Sequence, residues 1–263
     1  MFDYGKRTYI MGILNVTPDS FSDGGKFNEV NKALNHAKEM IKDGVDIIDI
    51  GGESTRPGHK YVEADEEIQR VIPVIKELRK EINVPISIDT YKAKVAEEAL
   101  KLGVEMINDV WGLKKDKEMA NVVAKYNACV CIMHNQDGTE YDKDIMESMK
   151  ESLQESIDLA LNAGVSKDKI VIDPGIGFGK TFEQNLEVLK RMNELKELGY
   201  PILLGTSRKS VIGNVLNVEP KERLEGTIAT TVLGIRDGVD IVRVHDVKEN
   251  LKAAKMADAI YRR

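Results

Sequence analysis

Short apolar runs recur along this chain, and longer stretches of mixed apolar and charged residues separate them. The runs are Tyr9–Leu14, Ile47–Ile50, Pro85–Ile88, Val104–Ile107, Ala128–Met133, Lys169–Ile172, Pro201–Leu204 and Asp240–Val244. They are rich in Ile and Val and show little alternation, as strands of a parallel sheet covered on both faces must. Between them, apolar residues return at three- and four-residue steps, as in Ile68, Val71, Ile72, Ile75 and Leu78, or Leu186, Leu189, Met192 and Leu195. That period predicts amphipathic helices. Thr181-Phe182-Glu183-Gln184 has the form of a capping box opening the helix after the sixth run, and Gly199-Tyr200-Pro201 stops it. The runs end in Asn15, Gly51-Gly52-Glu53, Asp89, Asn108-Asp109, His134, Asp173, Gly205-Thr206-Ser207 and His245. Strand, polar tip and helix, repeated eight times, predict a single-domain α/β protein over residues 1–263. The fold is a (β/α)8 TIM barrel with its chemistry at the strand C-termini.

Composition narrows the class of partner. Charged residues make up 31% and hydrophobic ones 42%, an ordinary globular balance. A net charge of −6 argues against nucleic acid. No stretch has the order of a signal peptide or the length of a membrane span, so a cytoplasmic protein with no membrane partner is expected. Cys129 and Cys131 share one face of a strand, too close in sequence for a disulfide, and read as reduced core residues. The loops Asn15–Asn28 and Gly51–Ala64 are long, lack helical periodicity and read as mobile lids on the catalytic face. Asn135–Asp144 forms a third, strongly polar loop. Residues before Tyr9 are expected to cover the barrel bottom.

The strand tips carry the candidate chemistry. Arg243 and His245 are two apart and share a face, while Val242 and Val244 suit the helix layer. An Arg and a His at the mouth beside Asn15 read as an anion site; the alternative is an Arg paired with a neighbouring carboxylate. Lys209 follows the small residues of the seventh tip and adds a cation. Asp89, Asp109 and Asp173, with Asn108, suit a ring bearing several N–H donors; salt bridges to Lys209 or Arg243 are the alternative. The run from Asp173 to Thr181 fails both the Walker spacing and the dinucleotide fingerprint. Its glycines are expected to let Phe178 and the backbone lie against a flat ring. His36 is expected to face solvent, and His134 reads as either a site residue or a core partner. No zinc motif is present, whereas Mg²⁺ held by Asn15 and substrate oxygens is compatible with the residues.

Met11-Gly12-Ile13-Leu14-Asn15-Val16-Thr17-Pro18-Asp19-Ser20-Phe21-Ser22-Asp23-Gly24-Gly25 resembles the opening signature of the dihydropteroate synthase family. Asp49-Ile50-Gly51-Gly52-Glu53-Ser54-Thr55-Arg56-Pro57-Gly58 is similar to its second. Further matches follow in order to Arg243-Val244-His245-Asp246. The resemblance implies a transferase of folate biosynthesis, a cytoplasmic homodimer and a sulfonamide target. Such an enzyme joins 6-hydroxymethyl-7,8-dihydropterin diphosphate to 4-aminobenzoate, with Mg²⁺ near Asn15. It further implies that Asp89, Asn108, Asp173 and Lys209 hold the pterin and that Asn15, Arg243 and His245 hold the diphosphate. Thr55, Pro57, Phe178 and Ser210 would shape the aminobenzoate pocket. Thr17, Asp19, Phe21 and Ser22 belong to the first loop, Ser54 and Arg56 to the second. Asp89, Asp173, Lys209, Asp19 and Arg243 are the catalytic candidates. The chain departs from the family pattern at Asn135-Gln136-Asp137-Gly138, which puts the packing of that loop in question. A methyltetrahydrofolate-binding methyltransferase is the nearest rival, but it has no need of the first signature or of the Arg243/His245 pair.

Overall fold

The computed structural model describes residues 2–16, 26–54 and 61–262. Eight parallel strands form one sheet: β1 (Tyr9–Asn15), β2 (Ile47–Gly51), β3 (Ile86–Asp89), β4 (Met106–Asp109), β5 (Cys129–Met133), β6 (Ile170–Asp173), β7 (Leu203–Leu204) and β8 (Ile241–Val244). Their order is β6-β5-β4-β3-β2-β1-β8-β7, and an Ile172–Ile202 bridge closes the ring. Around it run α1 (Lys26–Asp43), α2 (Ala64–Glu81), α3 (Ala93–Lys101), α4 (Met119–Lys125), α5 (Ile145–Asn162), α6 (Phe182–Lys190), α7 (Ser210–Leu216), α8 (Leu224–Arg236) and α9 (Val247–Tyr261). No helix among the described residues is long and apolar enough to cross a membrane.

Period-two geometry explains why the strands read as unbroken apolar runs. Outward residues such as Ile10, Leu14, Ile48, Ile50, Ile86 and Ile88 pack under the helices. Inward residues Tyr9, Met11, Ile47, Met106, Cys129, Cys131, Val171, Leu203 and Ile241 fill the barrel, with Phe2 and Tyr4 against them. Each fully buried side chain of this size contributes about 1.5–3 kcal/mol, and both faces gain it. The same inward series becomes polar towards the C-terminal ends, at Asp49, Asp89, Asn108, Asp173 and Arg243. Both cysteines are free and buried, as expected.

Some boundaries differ from the sequence reading. Asn15, Asp89, Asp109 and Asp173 are the last residues of their strands, still held in the ladder. Helix α1 starts at Lys26, inside the segment read as loop, because nothing after Gly25 breaks a helix. The capping box at Thr181 is present, but α6 ends at Lys190 and continues as a 3-10 segment, Met192–Leu198, closed by Gly199 at φ 73°.

Candidate active site

Polar inward residues of five strands meet at the C-terminal mouth. Arg243 on β8 lies between two carboxylates. Its Nε donates to Asp49 Oδ2 at 2.6 Å and its Nη2 to Asp89 Oδ2 at 2.8 Å. Asn108 donates its amide to Asp49 at 3.2 Å. The pairing left as the alternative for Arg243 is therefore present, and it engages two of the inward carboxylates. Burial alone would weaken the guanidinium charge, but Asp49 and Asp89 outweigh it and raise its pKa. Burial raises the Asp89 carboxyl above its usual range, against the pull of Arg243 and with a further push from Asp49.

Asp173 and Lys209 face this group from β6 and from the turn after β7. Burial raises Asp173, opposed chiefly by Lys209. Burial lowers Lys209 to about 8, with Asp173 opposing. The ammonium donates to Ile176 O and lies 4.6 Å from the centre of the Phe178 ring. Two glycines keep the centre of the mouth open. A Cβ on Gly205 would stand 3.9 Å from Arg243, 4.0 Å from Asp173 and 4.0 Å from Lys209. One on Gly51 would stand 3.7 Å from Asn15 Oδ1 and 3.7 Å from Asp89. Asp49 Oδ1, Asp89 Oδ1 and Ser87 Oγ are buried with no protein partner. Unpaired buried acceptors of this kind point to a ligand or water.

At the rim, His245 Nδ1 lies 2.9 Å from Ser207 Oγ, which also accepts from the His245 backbone. Asn15 is exposed at the end of β1, Ser54 at the end of the β2 tip, and Ser210 at the start of α7. Phe178 is half-buried. Asn15, Asp89, Asn108, Asp173, Phe178, Lys209, Ser210, Arg243 and His245 thus all lie at the strand C-termini. Thr17, Asp19, Phe21, Ser22, Thr55, Arg56 and Pro57 lie outside the described residues.

Two expectations need correction. Asp109 is not one of the mouth carboxylates. It follows the inward Asn108, so it points outward, where it accepts from Trp111 N at 2.8 Å and Leu113 N at 2.9 Å. Burial holds it at about 6 despite those bonds. Asp49 takes its place and was missed. A single acid inside an Ile-Ile-Asp-Ile strand was the available signal.

Two of the glycines after Asp173 serve packing rather than a ring. Gly175 has φ 65°, and a Cβ there would lie 1.9 Å from His134 O, while one on Gly179 would strike Gln136. The atypical loop is thereby accommodated, and Tyr141 donates to Gly179 O at 2.8 Å. His134 proves to be a core partner. Its Nδ1 lies 2.9 Å from Lys180 Nζ, which also donates to Gly175 O and Phe178 O at 3.0 Å. Burial lowers Lys180 to about 7, and burial beside Lys180 lowers His134 to about 2. The imidazole is therefore neutral and can accept from the ammonium. Lys180 ties together the loop that carries Asp173 and Phe178.

A second buried network, missed in the sequence, braces β2. Lys92 bonds Glu53 and also Glu67, the latter at 2.6 Å. Tyr91 donates to Glu53 at 3.2 Å.

No cluster of three acidic, His or Cys ligands exists among the described residues. A divalent cation here would have to lean on Asn15 and on ligand oxygens.

The profile of the pterin binding enzyme family matches residues 11–245. The dihydropteroate synthase of Clostridium beijerinckii is 62% identical over 100% of this chain and 97% of its own. That of Bacillus subtilis is 56% identical over 98% of this chain and 90% of its own. A Clostridium difficile dihydropteroate synthase crystallised in the presence of pteroic acid is 76% identical, with a TM-score of 0.99 and full coverage of both chains. A Yersinia pestis dihydropteroate synthase in complex with a sulfonamide drug is 42% identical over 98% of this chain and 95% of its own, with a TM-score of 0.91. A Xanthomonas albilineans dihydropteroate synthase with 4-aminobenzoic acid is 40% identical over 97% of this chain and 94% of its own, with a TM-score of 0.92.

Proposed function

The chain belongs to the pterin binding enzymes and, among them, to the dihydropteroate synthases of folate biosynthesis, and we propose that its barrel mouth joins 6-hydroxymethyl-7,8-dihydropterin diphosphate to 4-aminobenzoate by a dissociative substitution. The observation that carries this reading is the wall of acceptors formed by Asp89, Asn108 and Asp173, in which Asp89 Oδ1 is buried with no protein donor. An amino-pyrimidine edge rich in N–H donors complements such a wall. Lys209 and Phe178 border the same ring site. Asn15, Arg243 and His245 hold the diphosphate. Phe178 and Ser210 border the aminobenzoate, a pocket to which the resemblance also assigns Thr55 and Pro57, with Ser54 and Arg56 in the second loop. The resemblance assigns Thr17, Asp19, Phe21 and Ser22 to the first loop.

The electrostatics favour a cation at the centre. Asp49, Asp89 and Asp173 formally exceed Arg243 and Lys209 by one charge. Departure of diphosphate leaves a positive charge on the pterin methylene, and the fixed carboxylates stabilise it as it develops. The aromatic amine, largely neutral at pH 7, attacks without needing a strong base, in keeping with the lack of a Ser/His/Asp or Cys/His constellation. The residues fit Mg²⁺ only through Asn15 and the substrate. Phosphate oxygens and retained waters would complete its shell, and the ion would supply neutralisation of the leaving group.

The reading extends to a cytoplasmic homodimer. An apolar groove of about 490 Å³ is lined by Leu189, Val211, Val215, Leu216 and Leu233, with Val215 58% and Leu233 47% exposed. An isologous contact across α7 and α8 would cover it. A sulfonamide, as an aminobenzoate mimic, would compete at the rim.

Purified protein supplied with both substrates and Mg²⁺ should release dihydropteroate and diphosphate in equal amounts. Failure to form product by folded protein that still binds the pterin would move the methyltransferase reading ahead. Asp89→Asn should weaken binding of 6-hydroxymethylpterin about 10- to 100-fold by removing a charge-assisted pair. Titration calorimetry reporting wild-type affinity would remove Asp89 from the ring site.

A further inference from the structure

Asp49 lies one layer below the ring site and is wholly buried. Its Oδ2 accepts from Arg243 Nε at 2.6 Å and from Asn108 Nδ2 at 3.2 Å. An ionised carboxylate has nothing to donate, so only the amide nitrogen of Asn108 can face it. The Asn108 carbonyl oxygen must then face the other way. It is not among the buried unpaired atoms, which places it at the accessible mouth. Asp89 and Asp173 present acceptors whichever way they turn. Asn108 is the one member of the wall that can present either a donor or an acceptor, and Asp49 removes that freedom.

We propose that Asp49 is a positioning residue that locks Asn108 with its carbonyl oxygen towards the mouth. The site thereby selects a pteridine with an exocyclic amino group over the same ring with oxygen in that place. The inference rests on the ring-site reading above. An exocyclic amine donates to Asn108 Oδ1, whereas an exocyclic oxygen would set acceptor against acceptor and leave both unpaired.

An exchange of side chains tests the lock. In Asp49→Asn, the new amide oxygen can keep Arg243 while its NH₂ faces Asn108. Asn108 is then free to reverse and to present NH₂ to the ligand. Calorimetry with 6-hydroxymethylpterin and with its 2-oxo counterpart, 6-hydroxymethyllumazine, reads the preference directly. Thermal unfolding checks the fold of each variant. Asp49→Asn should narrow the wild-type preference for the amino ring by about tenfold. The double variant Asp49→Asn/Asn108→Asp restores an acceptor at position 108 with charge conserved. It should return the preference to within about threefold of wild type.

An unchanged preference in Asp49→Asn overturns the proposal, as does a double variant that fails to restore it. Equal loss of affinity for both rings would assign Asp49 a merely structural role. Should Asp49→Asn not fold, Asp49→Ser, which also frees Asn108, is read by the same threshold. Wild-type protein that binds neither ring would instead remove the ring-site reading, and this inference with it.

Discussion

Arg243→Ala is expected to lower both stability and turnover more than any other change at the mouth. The guanidinium touches Asp49, which is fully buried, and Asp89, which is 5% exposed. Its removal leaves two carboxylates without their cation in a low-dielectric site. Breaking a buried pair in this way costs about 3–5 kcal/mol. Turnover should fall about 10²- to 10³-fold, since the same group orders the ring site and, on the proposed reading, the diphosphate. Arg243→Lys should recover little, because one ammonium cannot reproduce a fork that reaches Asp49 and Asp89 together. Thermal unfolding and steady-state product formation read the two effects separately. A variant as stable as wild type would show that the two carboxylates do not depend on Arg243. Binding measured with and without the diphosphate refines the role. A larger loss for the diphosphate form supports phosphate contact, and equal loss in both argues against it.

Lys92→Met is expected to destabilise the barrel by about 3–5 kcal/mol, or on the order of 10 °C in melting temperature. Lys92 is 8% exposed and holds Glu53 and Glu67, at 3% and 1%. Burial raises the Glu67 carboxyl above its usual 4.5, with Lys92 pulling against that shift. A carboxyl with a raised folded pKa gives stability that is full below its unfolded value and lost as pH rises through the folded one. Without Lys92 that folded pKa climbs further. The deficit of the variant should therefore be small near pH 4.5 and widen as pH rises towards neutrality. Adding Glu67→Gln should return part of the loss. Melting curves between pH 5 and about 8 check the trend, and a deficit that does not change with pH would mean that lost packing, not charge, sets the effect.

The fold could be read from the sequence because barrel strands bury both faces and their helices bury one. Ile86–Asp89 and Ala93–Lys101 announce themselves by composition and period alone. The inward turn of Arg243 followed from counting by twos, with Val242 and Val244 packed under helices as that count required. The same count, applied from Met106, puts Asn108 inward and Asp109 outward, and would have excluded Asp109. Asp49 was hidden for another reason. Its partner Arg243 lies 194 residues away, and no local pattern marks an acid that waits for a distant cation. Lys92 and Glu67 share that obscurity across 25 residues. The break between α6 and its 3-10 continuation leaves no mark in the apolar period, which runs through it.

The barrel has a seam. β7 contributes only Leu203 and Leu204 to the sheet, and a single bridge joins its side to β6. Asp173 stands at the end of one bank, Gly205 and Lys209 just beyond the other. Any breathing of the wall at this place would vary the span between an acid and a base that a bound ring would touch together. Occupancy then acts as a staple, since whatever binds the closed form alone stabilises it by mass action. Amide hydrogens around Ile172 and Ile202 would exchange with solvent sooner than those of β1 and β2, and would be slowed most when the mouth is filled.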